Sequence, residues 1–127
     1  MKEETKLAYD KLSKALTRLE EAVALPLSSQ KIEIDLVIHR FEFTIELFWK
    51  VLQKHLFHEY GIDVHGPKPV LQQAYAVGLI LDEAMWLAML QDRNLTSHTY
   101  NEKLAFTIYE NIKKYTPFLR TSFDTLK

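Results

Sequence analysis

The chain has no cysteine, three glycines and four prolines, and no apolar run near the roughly 20 residues that a membrane-spanning helix requires. Without cysteine there are no disulfides and no thiolate metal sites, and the fold needs no oxidising compartment. With so few glycines and prolines, tight turns can be placed at only a handful of positions. A glycine-rich phosphate loop is also missing, which excludes a self-contained nucleotide hydrolase of that type. Neither sign of charge dominates: 16 basic residues against 17 acidic ones leave a formal net charge of −1. Bulk binding of a polyanion rests on many lysines and arginines, so any contact with nucleic acid must be local. Met-Lys-Glu-Glu-Thr at the start has the mixed charge of a helix, not the basic-then-apolar pattern of a secretory leader. A soluble, cytoplasmic protein is expected.

At 127 residues and 47% apolar composition, the chain reads as one domain spanning 1–127, large enough to bury a core unaided. Apolar residues recur at helical spacing and strand-like alternation is absent, so an all-α fold is expected. The first segment, about residues 3 to 25, carries Leu12, Leu16, Leu19 and Val23 on one stripe and stops before Pro26. Ser28 or Ser29 offers a cap for the next helix. That helix runs from about Lys31 to Tyr60 with Ile34, Val37, Ile38, Phe41, Ile45, Phe48, Leu52 and Leu56 on its buried face, and Gly61 ends it. A short third helix starts at Pro69 and ends near Gly78. Asp82 caps a fourth, reaching about Asp92. Thr99 and Glu102 have capping-box spacing, which predicts a last helix from about Tyr100, kinked or interrupted at Pro117. Short connections between such helices favour antiparallel neighbours, hence an up-and-down four-helix bundle with one additional short helix.

The chemistry concentrates in Arg-Asn-Leu-Thr-Ser-His-Thr-Tyr-Asn, residues 93–101. Arg93 keeps its charge, the imidazole of His98 titrates near neutrality, and Tyr100 adds a phenol, a set suited to a phosphodiester. With Thr99 as cap, His98 would precede a helix N-terminus, where free amides attract phosphate and the same field favours a neutral imidazole able to act as a base. The plain structural alternative stays open: Arg93 pairs with Asp92 or a helix end, His98 caps, and Tyr100 packs on the bundle. Asn94 and Asp92 flank Arg93, and Glu42 and Glu46 share a face of the second helix with Lys50; all four acidic or amide groups are secondary pocket candidates, although such a row is ordinarily a solvated salt-bridge ladder. His39, His55, His58 and His65 lack a convincing third metal ligand, and His55 and His58 read as a wet helix end. No metal and no cofactor are expected. Trp49 and Trp86 read as core or as an interface between copies.

Phe-Glu-Phe-Thr-Ile-Glu-Leu-Phe-Trp-Lys at 41–50, Gly-Leu-Ile at 78–80 and Asp-Arg-Asn-Leu-Thr-Ser-His-Thr-Tyr-Asn at 92–101 resemble the HEPN superfamily, in its branch of nucleotidyltransferase substrate-binding proteins. The signature is an arginine, four to six residues and a histidine, met by Arg93 and His98 with four between them; Tyr100 completes the extended form. The resemblance implies a dimerising helical bundle and, in many members, a metal-independent RNase toxin. Arg93 and His98 would be catalytic, RNA, with tRNA a candidate, would be the substrate, and Tyr100 would accept AMP from a separate minimal nucleotidyltransferase that acts as antitoxin. An older description makes such chains noncatalytic subunits that present nucleotide or substrate to that partner. This chain has no Gly-Ser followed by paired aspartates, so the transferase would be a separate polypeptide.

Overall fold

A computed structural model describes residues 3–126. Five α-helices follow in order: α1 (Glu3–Val23), α2 (Ile32–Tyr60), α3 (Pro67–Ala76), α4 (Glu83–Leu95) and α5 (Glu102–Thr125), with a 3₁₀ turn at Thr96–His98 between α4 and α5. No strand occurs among the described residues. All eight residues expected on the buried face of α2 are buried, and Thr44, Val51 and His55 join them. The added positions widen the stripe because α2 packs against each of the other long helices and against α3.

Cross-helix contacts fix the directions. Lys54 meets Glu4 and Thr44 meets the Ala15 carbonyl, so α1 and α2 run antiparallel. Glu42 meets Thr96, while Phe48 packs edge-on to Trp86 at 4.8 Å; α4 therefore also opposes α2. Asp92 meets Asn111, and Trp86 meets Phe118, so α5 opposes α4 and runs with α2. The four long helices alternate up and down, and α3 is the extra short one.

Several ends follow local rules. Gly61 adopts φ 67°, and bonds from Gly61 N–H to Phe57 and from Ile62 N–H to Leu56 close α2 in the six-to-one pattern that a left-handed residue allows. Asp82 caps α4 by accepting from the Met85 N–H at 3.1 Å.

Other ends differ from expectation. Neither Ser28 nor Ser29 caps α2; its N-cap position is Lys31, in a left-handed conformation with φ 56°, while Glu33 accepts from the N–H and hydroxyl of Ser28. Helix α3 begins two residues early, at Pro67. Helix α4 continues past Asp92 to Leu95, so Arg93 and Asn94 are helical. Thr99 is not the cap of α5. Asn101 is, accepting from the Leu104 N–H at 3.1 Å, because the Thr99 hydroxyl is turned back to the Thr96 carbonyl at 2.9 Å. Helix α5 runs uninterrupted through Pro117: proline removes one ladder bond, and the tertiary packing of Tyr115, Thr116 and Leu119 on the core holds the helix on both sides.

His55 is buried, with its Nε2 unpartnered, and does not lie in the wet helix end expected of it. Burial lowers its affinity for a proton below the ordinary value of 6.5, against a smaller opposing pull from Glu59. The unfolded chain thus binds a proton on His55 more readily than the folded one, so its contribution is intact above the unfolded value and is lost as the pH falls below it. Chemical denaturation between about pH 7.5 and pH 5 should show declining stability in the natural protein and a shallower decline in His55→Leu; equal slopes would mean that the folded state accommodates the charged ring.

Candidate functional site

The polar run between Arg93 and His98 finishes one helix and bridges to the next. The last carbonyls of a helix lack intrahelical donors, and here short hydroxyl side chains supply them. The Ser97 hydroxyl donates to the Asn94 carbonyl at 3.3 Å, and the Thr99 hydroxyl donates to the Thr96 carbonyl. Buried Thr96 lies 2.7 Å from the Arg93 carbonyl and 2.9 Å from Glu42 Oε2, so its single proton is shared between backbone and carboxylate. The segment is stitched to itself and to the middle of α2.

Glu42 also receives Arg93, whose Nη1 lies 3.7 Å away. Neither Asp92 nor a helix end is the partner of this guanidinium. Its Nε–H is buried and unpartnered, so Arg93 retains unused donor capacity inside the site. Asp92 faces α5: its Oδ2 accepts from the Tyr115 hydroxyl at 2.7 Å and from Asn111 Nδ2 at 3.1 Å. Burial, and then the Asp92 carboxylate, push the Tyr115 hydroxyl well above its usual pKa, so it stays a donor. Adjacent residues of α4 thus tie to opposite neighbours, Asp92 to α5 and Arg93 to α2.

The two ties differ in strength. A hydrogen bond from a buried neutral donor to a carboxylate contributes about 1.5–3 kcal/mol, whereas a partly exposed ion pair contributes about 0–1 kcal/mol. Both partners of the Arg93–Glu42 pair have about a third of their side chains exposed (32% and 33%). Asp92 is the fixed anchor and Arg93 the adjustable group.

His98 is exposed at the end of the 3₁₀ turn. The Tyr100 hydroxyl lies 3.5 Å from His98 Nδ1, at the outer limit of a hydrogen bond, and the rings meet edge-on at 6.0 Å. Tyr100 does not pack on the bundle; 82% of it is exposed. Asn94 is exposed beside Arg93. Glu46 is half-buried one turn along α2 and forms no hydrogen bond or ion pair with the described residues. The Glu42–Glu46–Lys50 row is not a salt-bridge ladder, since Glu42 is engaged by α4 and the 3₁₀ turn while Lys50 lies over the Trp49 ring at 5.9 Å.

The remaining histidines are dispersed. His58 lies 3.8 Å from Glu4, His65 lies 3.0 Å from Asp63, and His39 packs edge-on to Phe43. No group of three metal-ligating side chains gathers among the described residues. Trp86 is core, 1% exposed.

Residues 7–127 match the family described as nucleotidyltransferase substrate binding protein like. The chain belongs to this family. A relative from Haemophilus influenzae, named probable ribonuclease HepT, is 35% identical over 82 residues, or 61% of this chain, and the match spans 56% of that protein's length. A crystal structure from Thermus thermophilus superposes with a TM-score of 0.84 at 39% identity, covering 91% of this chain and 98% of that one. A Haemophilus influenzae structure, described as revealing the fold of a substrate binding domain of a nucleotidyltransferase, superposes at 0.76 with 29% identity, covering 93% and 98%. The all-helical bundle is thus shared with both solved structures.

The roles of Thr96, Asn111 and Tyr115 carry no signal in the sequence beyond helical spacing. Their contacts assign Asp92 and Glu42 different weights. Asp92→Ala, which strands the Tyr115 hydroxyl in the core, should cost about 1.5–3 kcal/mol, and Glu42→Ala about 1 kcal/mol or less. Urea denaturation monitored by tryptophan fluorescence should return that order.

Proposed function

We propose that this chain is a metal-independent endoribonuclease of the HEPN type, held in check by a separate minimal nucleotidyltransferase that transfers AMP to Tyr100. The observation that carries the reading is the pairing state of the three motif side chains at and after the end of α4. Arg93 has a buried, unpartnered Nε–H and only a weak carboxylate partner, while an exposed imidazole and an exposed phenol stand within 3.5 Å of one another beyond the intervening turn. The family's ribonuclease relative supports the reaction class.

In this reaction His98 takes the proton of a ribose 2′-hydroxyl. The 2′-oxygen forms a bond to phosphorus, the bond from phosphorus to the 5′-oxygen breaks, and a second acid protonates that oxygen. Arg93 carries the extra negative charge of the crowded phosphate through its fixed planar fork. One copy offers a single imidazole at the site, and a second copy of the chain would bring another His98 for the second proton; a homodimer is part of the proposal. RNA, with tRNA a candidate, is the substrate, and no cofactor enters.

Exposure of Tyr100 supports control at this residue. Its hydroxyl is open to attack the α-phosphorus of ATP held by the partner, with pyrophosphate leaving and the phenolic proton passing to solvent, and the new phosphate would then stand beside His98, competing for the place of the substrate phosphate. The alternative, a noncatalytic subunit presenting nucleotide or substrate to its transferase, is favoured by the description of the Haemophilus structure.

The purified chain, verified by intact mass as unmodified, should cleave tRNA or total RNA in chelator, and Arg93→Ala and His98→Ala should each lower the rate at least about a hundredfold while remaining folded. Tyr100→Phe should cleave RNA but accept no AMP from the partner. Unchanged cleavage in folded Arg93 and His98 variants would refute the reading; binding to the transferase with no RNA turnover by the natural chain would favour the presenting subunit.

A further inference from the structure

A hollow of about 350 Å³ lies against the motif, formed where the start of α2 meets the start of α5. Its wall includes Thr99, the residue between His98 and Tyr100, together with Lys31, Asp35, Glu102 and Phe106. That size is at the low end of small-molecule sites, roughly 300–1,000 Å³. Asp35 and Glu42 are seven residues apart, two turns along the same face of α2, so the hollow and the Arg93 partner lie about 10 Å from one another along that helix. A dinucleotide spans such a separation.

Phe106 is 39% exposed, and its ring is backed by buried Tyr109, with centroids 6.1 Å apart. The Lys31 ammonium lies over the Phe106 ring, 5.8 Å from its centroid, so a base that stacks there takes the place of the ammonium and leaves it free to meet the phosphate. Lys31 reaches that place from a left-handed backbone, φ 56°, at an N-cap where its side chain caps nothing. Left-handed N-caps are the province of glycine and asparagine, and local helix chemistry does not call for lysine here. A partly exposed aromatic ring, a displaceable cation over it and carboxylates able to accept from exocyclic amines are the parts that receive a nucleotide unit: ring on ring, phosphate on ammonium, base edge on carboxylate.

We infer that this hollow is a nucleotide subsite, in which Phe106 stacks a base and Lys31 meets its phosphate, next to the phosphodiester handled by Arg93 and His98. The subsite deepens the ribonuclease reading and rests on it for the neighbouring reaction. Two sources supply the same chemistry: a nucleotide of the RNA strand, or the AMP carried by Tyr100.

The test is binding, measured on the ¹⁵N-labelled full chain with a short single-stranded RNA made uncleavable by 2′-O-methylation, and separately with AMP. Resonances of Lys31, Phe106 and neighbours should shift. Phe106→Ala should bind at least about tenfold more weakly, and Phe106→Trp should restore binding. Lys31→Gly, which suits the left-handed backbone, should weaken binding without lowering the melting temperature. Shifts with the oligonucleotide alone assign the subsite to the RNA strand, and shifts with AMP alone assign it to the modifying group. Phe106-dependent binding by a chain that never cleaves RNA would keep the subsite and remove the ribonuclease reading. Cleavage and binding that are both indifferent to Phe106→Ala and Lys31→Gly would remove the subsite and keep the ribonuclease.

Discussion

Everything in this bundle is referred to α2. It is 29 residues long, about 44 Å, and each of the other helices packs on it. An outer helix needs one apolar stripe; a helix with neighbours on several sides needs a broad one. Eleven residues of α2 are buried, so its position is determined by the whole core and not by one interface. Glu42 interrupts this role, placing a carboxylate at the edge of the most constrained element, where α4 and the turn after it can reach it.

This arrangement separates holding from adjusting. Asp92 is bound to α5 by two neutral donors, which sets the height and rotation of the end of α4. Arg93, the next residue, is left with a single longer contact to Glu42. Asp92 is thus a rigid mount, and Arg93 beside it keeps a loose partner. The serine and threonine hydroxyls that follow serve the mount, since they satisfy carbonyls that would otherwise be unpaired.

How much of this is legible in the sequence depends on the range of the interaction. The α2 stripe, the glycine stop at Gly61 and the aspartate cap at Asp82 are local in the chain and can be read directly. The start of α5 misleads because Thr99 and Glu102 have the spacing of a capping box, yet Asn101 competes for the same task and the threonine hydroxyl is already committed to the Thr96 carbonyl. His55 misleads because its position near the end of α2 says nothing of what covers that end. The bond from Thr96 to Glu42, 54 residues apart, and the clamp on Asp92 depend on packing between helices, which a period of 3.6 does not specify. Arg93, His98 and Tyr100 stand out by residue type and motif, while their different degrees of exposure become visible only in three dimensions.

The directions of the helices carry one more implication. The start of α1 lies beside the later part of α2, through Glu4 and Lys54, and Phe123 near the end of α5 stacks on Tyr9 of α1. The turn bearing His98 and Tyr100 belongs to the opposite end, with the first residues of α2. An affinity tag, a fluorescent protein or a surface tether attached at either extremity would therefore sit at the far pole of the bundle, leaving the motif pole unobstructed for a macromolecule to approach.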